Sequence, residues 1–448
     1  MLFFSSSLPG MPRHSRRWAA LAAVASMTVG GALAGPAAAA SEGPVAVQAQ
    51  AAQAPALSLQ QATALALEHN PGLRAARQAL AASDGAVLQS QARPNPELAY
   101  SQEDARRATR SVTLQWNQTV EVGGKRAARM RVAERGRDVA QAELAAAEAA
   151  LRADVRAAFY GLLAAQQRVD LSGQTLEIAR GAREAAAKRV AAGKSAPLEE
   201  TKARVAESGA QLELDRARSA LRVARSQMQA LWGDAVRPFG EADGAVDALP
   251  EVPSLQALQQ RMQEAPAVLR ARQALEQSRA AADLERARRL PDPTVSLGVK
   301  RATEVGRNQL VIGVSVPLPV LDTNRGNQLQ ALRLADQAED QLQATRIDLQ
   351  AQLFEARELL QTSRSQASQL AGEVLPAARS AYELASRGFA LGKFAYLDVL
   401  DAQRTWSEAR AQYLDQLLAT HRAAADIDRL LGGESAPTQR PASDRFAP

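Results

Sequence analysis

Asp398 and Asp401, in the stretch LGKFAYLDVLDAQRTW (391–406), are two carboxylates three residues apart, just behind a turn glycine, Gly392. That spacing puts both on one face of a helix. Acids in a first helical turn complement the positive end of the helix dipole, an effect worth about 0.3–1 kcal/mol. Acids repeated around a narrow opening do something different, attracting cations and repelling anions. Asp401, farther into the helix, is harder to explain as a cap. Few other groups here can do chemistry. There is no cysteine, and the three histidines, His14, His69 and His421, are far apart. A disulfide framework, a thiolate metal site and a cysteine nucleophile are therefore excluded, and no metal site or cofactor is expected. EVGGK (121–125) lacks the GxxxxGK[ST] spacing of a phosphate-binding loop. With no catalytic constellation, the sequence does not read as an enzyme.

The elements that must position those acids are long and helical. The chain has 448 residues, more than one ordinary domain needs, and only 4% aromatics, which suits packed helices better than a thick globular core. Residues 1–40 follow the pattern of a secretory signal: Arg13, Arg16 and Arg17, then AALAAVASMTVGGALAG, then small residues ending at Ala40. The apolar stretch is too short and too rich in Ala and Gly to read as a membrane helix. Cleavage would remove three arginines and no acid, taking the formal charge from +6 to +3, so no nucleic-acid partner is expected. Residues 41–57 read as a linker.

The remainder is written twice. NPGLRAARQAL (70–80) answers to APAVLRARQAL (265–275), with Pro71 and Pro266 offset by 195. RPNPELAYS (93–101) answers to LPDPTVSLG (290–298) at an offset of 197, and AGKSAPLEETKAR (192–204) to LGKFAYLDVLDAQ (391–403) at 199. The first repeat covers 58–233 and the second 254–432, joined by a Gly/Pro/Asp-rich connector (234–253), with a disordered tail from 433. Each repeat predicts a helix, two strands, a very long helix, a turn and a returning helix. The strands, about 95–104, 111–120, 293–301 and 308–317, alternate apolar and polar residues. Val112, Leu114, Trp116, Val295, Leu297, Leu310, Ile312 and Val314 form their apolar side. Strands of about ten residues suit a tilted membrane crossing. Four cannot close a barrel, so chains would have to pool them. The alternative at this level is a pair of surface hairpins.

From about Val122 to Val190 no proline occurs, a helix on the order of 100 Å. Its seam repeats every seven residues at Val155, Leu162, Val169 and Leu176, with small residues at Ala158, Ala165, Ser172 and Ala179. The second repeat continues the register at Leu353, Leu360, Ala367, Val374 and Ala381, offset 198. Such repeats make supercoiled helices. The fold class expected is mainly α with membrane β.

The order of parts, QTVEVGGKRAARMRVAERGR (118–137) and LGKFAYLDVLDAQRTW resemble the TolC-type outer-membrane factor family over about 58–432, and in particular its CzcC-like heavy-metal efflux branch. The resemblance implies a homotrimer in the outer membrane of a Gram-negative bacterium, with a 12-stranded β-barrel, four strands per chain, in contact with lipid. It also implies a helical periplasmic tunnel that meets a periplasmic adaptor (a membrane fusion protein) and an inner-membrane pump of the resistance-nodulation-division type. Asp398 and Asp401, with Glu199 at the matching first-repeat position, would then line the pore constriction. Lys202 stands where a second acid would match Asp401. Gly193, Lys194, Gly392 and Lys393 would form the adaptor-docking tip. Phe389 falls in the gate region, where the family often has a tyrosine whose hydrogen bond phenylalanine cannot make. Multidrug efflux, type I protein secretion and a poreless periplasmic coiled-coil scaffold are the other readings. The basic cluster Lys125, Arg126, Arg129 and Arg131 either faces the inner membrane surface or solvates a helix start.

Overall fold

The computed structural model describes residues 56–233 and 239–433. The expected export signal, most of the linker, the first five residues of the connector and the tail from Glu434 lie outside the described residues. The first repeat holds α1 (Leu59–His69), α2 (Pro71–Gln91), β1 (Glu97–Glu103), β2 (Ser111–Thr119), α3 (Lys125–Ala191) and α4 (Pro197–Ala230). The second holds α5 (Leu255–Met262), α6 (Pro266–Ala287), β3 (Thr294–Ala302), β4 (Arg307–Ser315), α7 (Arg325–Gln369), a π-helical turn (Leu370–Val374), α8 (Leu375–Ala390) and α9 (Tyr396–Leu431). Two helices, not one, precede each strand pair. Pro71 and Pro266 each sit at the first position of the second helix, where proline's missing N–H costs nothing, and the residue before each is extended.

The strands form one antiparallel sheet in the order β1-β2-β3-β4. Its register aligns the apolar side chains in rows: Leu98, Trp116, Leu297 and Ile312 in one, Tyr100, Leu114, Val299 and Leu310 in the next. Val295 pairs with Val314 on the same face. Val112 shares that face too, but its cross-strand partners are Gln102 and Arg301, so it sits at the rim. The opposite face is polar, with Ser296 Oγ donating to Asn117 Oδ1 at 2.8 Å and Lys300 paired to Glu103 at 2.8 Å. This polarity is inverted for a water-soluble sheet. Ile312 and Leu310 are each 69% exposed, and Ser296 is buried.

Helix α3 runs 67 residues, about 100 Å at 1.5 Å per residue. Its N-terminal part packs on α2 and α6, and its C-terminal part on α4 and α9. Val155, Leu162, Leu176 and Ala179 are buried along its seam, with Val169 partly buried. In the second repeat the seam holds through Leu353, Leu360 and Ala367. It then departs from strict sevens: Val374 and Ala381 are exposed, while Leu375, Tyr382 and Phe389 turn inward. Ala378 and Ala385 are buried, each one residue past the line set by Ala356 and Ser363. The cause is the π turn at 370–374, which takes up one extra residue directly before Pro376. Proline cannot donate the helical hydrogen bond, and a π turn absorbs the break without ending the rod.

Near the middle of α3 a larger core gathers Phe159, Leu162, Leu163, Trp232 and Val246. The connector belongs to it. Ala242 and Val246 are buried, and Leu57 bridges Ala242 in parallel. Arg156 and Asp428 form an ion pair there, nearly excluded from water, with side chains 9% and 7% exposed. His421 stacks on Tyr160 with ring centroids 3.5 Å apart and donates from Nε2 to the Val246 carbonyl at 2.7 Å. Burial, opposed by that hydrogen bond and aided by the Arg156 charge, lowers its pKa from 6.5 to about 4. His421 thus has a structural place, and Trp406 likewise packs on Tyr382, with centroids 5.2 Å apart.

Two outcomes are expected. Deleting Gly372 alone removes the extra residue and forces Pro376 into a regular helix, at a cost of roughly 3 kcal/mol. Adding Pro376→Ala to that deletion restores most of the thermal midpoint; no recovery would remove the link between the π turn and the proline. For His421, the unfolded chain takes up its proton near pH 6.5 and the folded chain only near 4. Stability is therefore full above about pH 6.5 and falls as pH drops towards 4, by roughly 3 kcal/mol per chain. The slope of midpoint against pH, followed by circular dichroism, should be shallower in His421→Phe.

Candidate functional site

The sequence-marked residues gather where the two helical hairpins turn. Both turns are built alike. Gly193 (φ +69°) and Gly392 (φ +74°) take the left-handed conformation that ends a helix. The N–H of Lys194 bonds back to the Arg189 carbonyl and that of Lys393 to the Gly388 carbonyl, each at 2.8 Å. Pro197 then starts α4, and Tyr396 starts α9. Lys194 and Lys393 are both exposed at the ends of these turns.

The three acids are placed differently. Asp398 is exposed and its Oδ2 accepts from the Ala395 N–H at 2.9 Å, so it does cap α9. Glu199 holds the equivalent position in α4, half-buried, with no such bond. Asp401 is exposed, takes no part in capping, and has no ion pair among the described residues. On α9, Asp398 and Asp401 lie opposite the buried seam of Tyr396, Val399 and Gln403. Capping and presenting charge to an open face are compatible for Asp398, whereas for Asp401 only the second applies.

Two residues that sequence reasoning did not single out join the hairpins. Arg189 reaches from the end of α3 to the end of α8. Its Nη1 donates to the Phe389 carbonyl at 3.0 Å and its guanidinium lies 4.5 Å from the centre of the Phe389 ring. Phe389 therefore receives its cross-hairpin bond on its main chain, with its ring under a cation. Tyr396 is the other, 2% exposed and packed on Ala186, Ala203 and Phe389. Burial pushes its pKa up to about 12, with the nearby Glu199 charge adding to the effect. Phe394 folds back over Gly388, where any Cβ would come within 2.1 Å of its ring. One signal was available: at the offset of 199, Arg189 stands opposite Gly388 and Pro197 opposite Tyr396. At these two positions the repeats differ where one fits against the other.

The basic cluster has a structural task. Lys125 pairs with Asp292 at 2.8 Å, Arg126 donates to the Gln91 carbonyl, and Arg129 bonds Glu121 and the carbonyls of Ser90 and Ala92. These contacts tie α2 and the strand entries to the start of α3. Only Arg131 of the four stays exposed without such a bond among the described residues.

Long paired helices, a four-stranded sheet with its apolar side exposed and two matched hairpin turns define a class of long helical hairpins carried on a small sheet. The model for outer membrane efflux proteins matches residues 62–234 and 257–433, and the chain belongs to that family. It is 47% identical over 363 residues to the cobalt-zinc-cadmium resistance protein CzcC of Cupriavidus metallidurans, covering 81% of this chain and 87% of that one. The nickel and cobalt resistance protein CnrC of the same organism is 29% identical over 62% of this chain and 67% of its own. Among solved structures, CusC superposes with a TM-score of 0.73 at 19% identity, covering 84% of this chain and 92% of that one. The Campylobacter jejuni CmeC outer membrane channel superposes at 0.71 with 16% identity, covering 85% and 87%. These superpositions establish the fold.

Loss of the Arg189 bond and ring contact should loosen the tip by about 1–2 kcal/mol. Arg189→Ala is expected to raise amide hydrogen exchange in 192–196 and 391–395 by about tenfold, and Phe389→Leu, which keeps the backbone bond, by less. Unchanged exchange in Arg189→Ala would show that the hairpins are joined by other contacts.

Proposed function

We propose that three copies of the chain form an outer-membrane channel-tunnel, the exit duct of a tripartite efflux system of the resistance-nodulation-division type, and that its cargo is heavy-metal cations. The observation that carries this reading is the sheet. Its outward face is aliphatic and aromatic, and its edge strands, β1 and β4, have no partner within the described residues. Unpaired strand edges are not tolerated in lipid, and four strands are too few to close. Three chains would supply twelve.

The helices support the same assembly. In the described chain α3 and α9 are central, while α4 and the α7–α8 rod lie at the two sides. Each side helix exposes an apolar stripe at seven-residue spacing: Leu198, Val205 and Leu212 on α4, Ile347 and Phe354 on α7. Packing the α4 stripe of one copy on the α7–α8 rod of the next is a head-to-tail contact that closes into a ring. Threefold repetition would bring Asp398 and Asp401 around the axis with Glu199 near them, favouring cations at the narrowest point. Gly193, Lys194, Gly392 and Lys393 would meet the adaptor. The cargo rests on the likeness to the cobalt-zinc-cadmium resistance protein, since a wide duct need not bind what passes through it.

Growth of a deletion strain across a panel of metals and drugs tests the cargo. Sensitivity confined to cations such as zinc, cobalt or cadmium is expected. Normal metal tolerance with sensitivity to detergents and antibiotics would move the chain to a drug-export system. In planar bilayers, Asp401→Asn should lower cation-over-anion selectivity several-fold with thermal stability unchanged. Asp398→Asn, whose amide oxygen still caps α9, should behave alike, whereas Asp398→Ala should also lose about 1 kcal/mol of stability.

A further inference from the structure

The two repeats differ in the segment that leads from the sheet to the long helix. In the first, Val120–Gly124 joins β2 to α3; in the second, the longer Val316–Asn324, with sequence VPLPVLDTN, joins β4 to α7. The outward alternation of β4 runs on past its last ladder bond, from Leu310, Ile312 and Val314 to Val316 and Leu318. The Val320 N–H then bonds the Leu318 carbonyl at 2.9 Å. This closes a three-residue turn on Pro319, whose fixed φ suits it. At and after the turn Leu318 is 79% exposed, Val320 77% and Leu321 98%. The far end is fastened: Asn324 Nδ2 donates to the Glu285 carbonyl at 3.0 Å, and the Asn324 N–H bonds Asp322 Oδ1 at 2.8 Å. Three aliphatic side chains are thus held out on a braced loop.

We propose that this loop is a second membrane contact, an aliphatic finger seated at the headgroup boundary of the periplasmic leaflet, with phospholipid as its occupant. The inference rests on the membrane reading of the sheet. Three observations favour lipid over protein. Pro317 and Pro319 have no N–H, so the segment lacks two donors that a ladder with a strand of another copy would use. Arg288 and Arg289 line the same cleft of about 500 Å³ as Leu318, Val320 and Leu321, and suit a phosphate beside acyl chains. Arg288 pairs with Glu285, while Arg289 is exposed with no ion pair among the described residues. The apolar band also needs completing on this side. The outward apolar residues of β4, Leu310, Ile312 and Val314, cover only about 12 Å at a 45° tilt, against an apolar band of about 25 Å, and Val316 and Leu318 carry it to about 21 Å.

The chain has no cysteine, so Leu321→Cys gives a single labelling site. Full-length protein carrying a fluorophore at Leu321→Cys, or at Ile312→Cys as the sheet control, is reconstituted in phosphatidylethanolamine and phosphatidylglycerol vesicles. Quenching by nitroxide lipids, shallow or deep in the acyl chain, is compared with quenching by aqueous iodide. The expected result is at least twofold stronger quenching of the Leu321→Cys label by the shallow nitroxide than by the deep one, with little iodide quenching. The Ile312→Cys label should be quenched by both nitroxides. Full iodide access at Leu321→Cys overturns the proposal, as does shielding from every quencher, which would mean that protein covers the loop. In either case lipid quenching at Ile312→Cys leaves the membrane reading standing. Its absence there would sink that reading separately.

Discussion

The backbone hydrogen bonds at the two edges of the sheet govern this molecule. A sheet with β1 and β4 unpaired among the described residues and an apolar outer face has no stable place in water, because the face is wet, or in lipid, because the edges are bare. In the proposed trimer the conflict ends where edges meet edges, and that requirement passes to the rest of the chain. Helices leaving the sheet would then continue around the same axis. The proline entries, the Lys125–Asp292 pair and the Arg129 bonds are the fittings that aim α3 from sheet to rod.

Duplication answers the next demand, which is length. Two rods of nearly equal span, α3 and α7–α8, carry two matched turns to the same end. The matched parts share chemistry, such as the left-handed glycine turns. Two mismatched positions at the tip are where the halves fit together. Arg189 has a glycine as its counterpart, and Tyr396 a proline. The π turn is a mismatch of another kind, a one-residue surplus that lets a proline stand within an otherwise continuous rod.

Much of this is legible in the sequence. The repeat, the four strands, their apolar side and the helical rods follow from periodicity, because period two and period seven each bury one face. The π turn was also written in the sequence. The repeat offset is 198 at Leu353 and 199 at Gly392, so one residue must be absorbed between them. Projecting the seam onward to Val374 and Ala381 passed over that drift. The connector read as a linker from its Gly, Pro and Asp content, yet Ala242 and Val246 pack into the core, since composition does not reveal which few apolar residues find a surface. The Arg189–Phe389 contact shows in the sequence only as a break in the repeat, Arg189 opposite Gly388, which does not by itself say what the arginine touches 200 positions away.

Edge-to-edge closure is the central claim, and cysteine cross-linking tests it most directly. A cysteine walked along β1, combined with one fixed in β4, should form disulfides between copies in outer-membrane preparations at one register and its neighbours two residues away. The linked product should run as dimers and closed trimers after denaturation. Absence of any cross-link along the whole of β1, with the chain extracted as a monomer, would contradict the account.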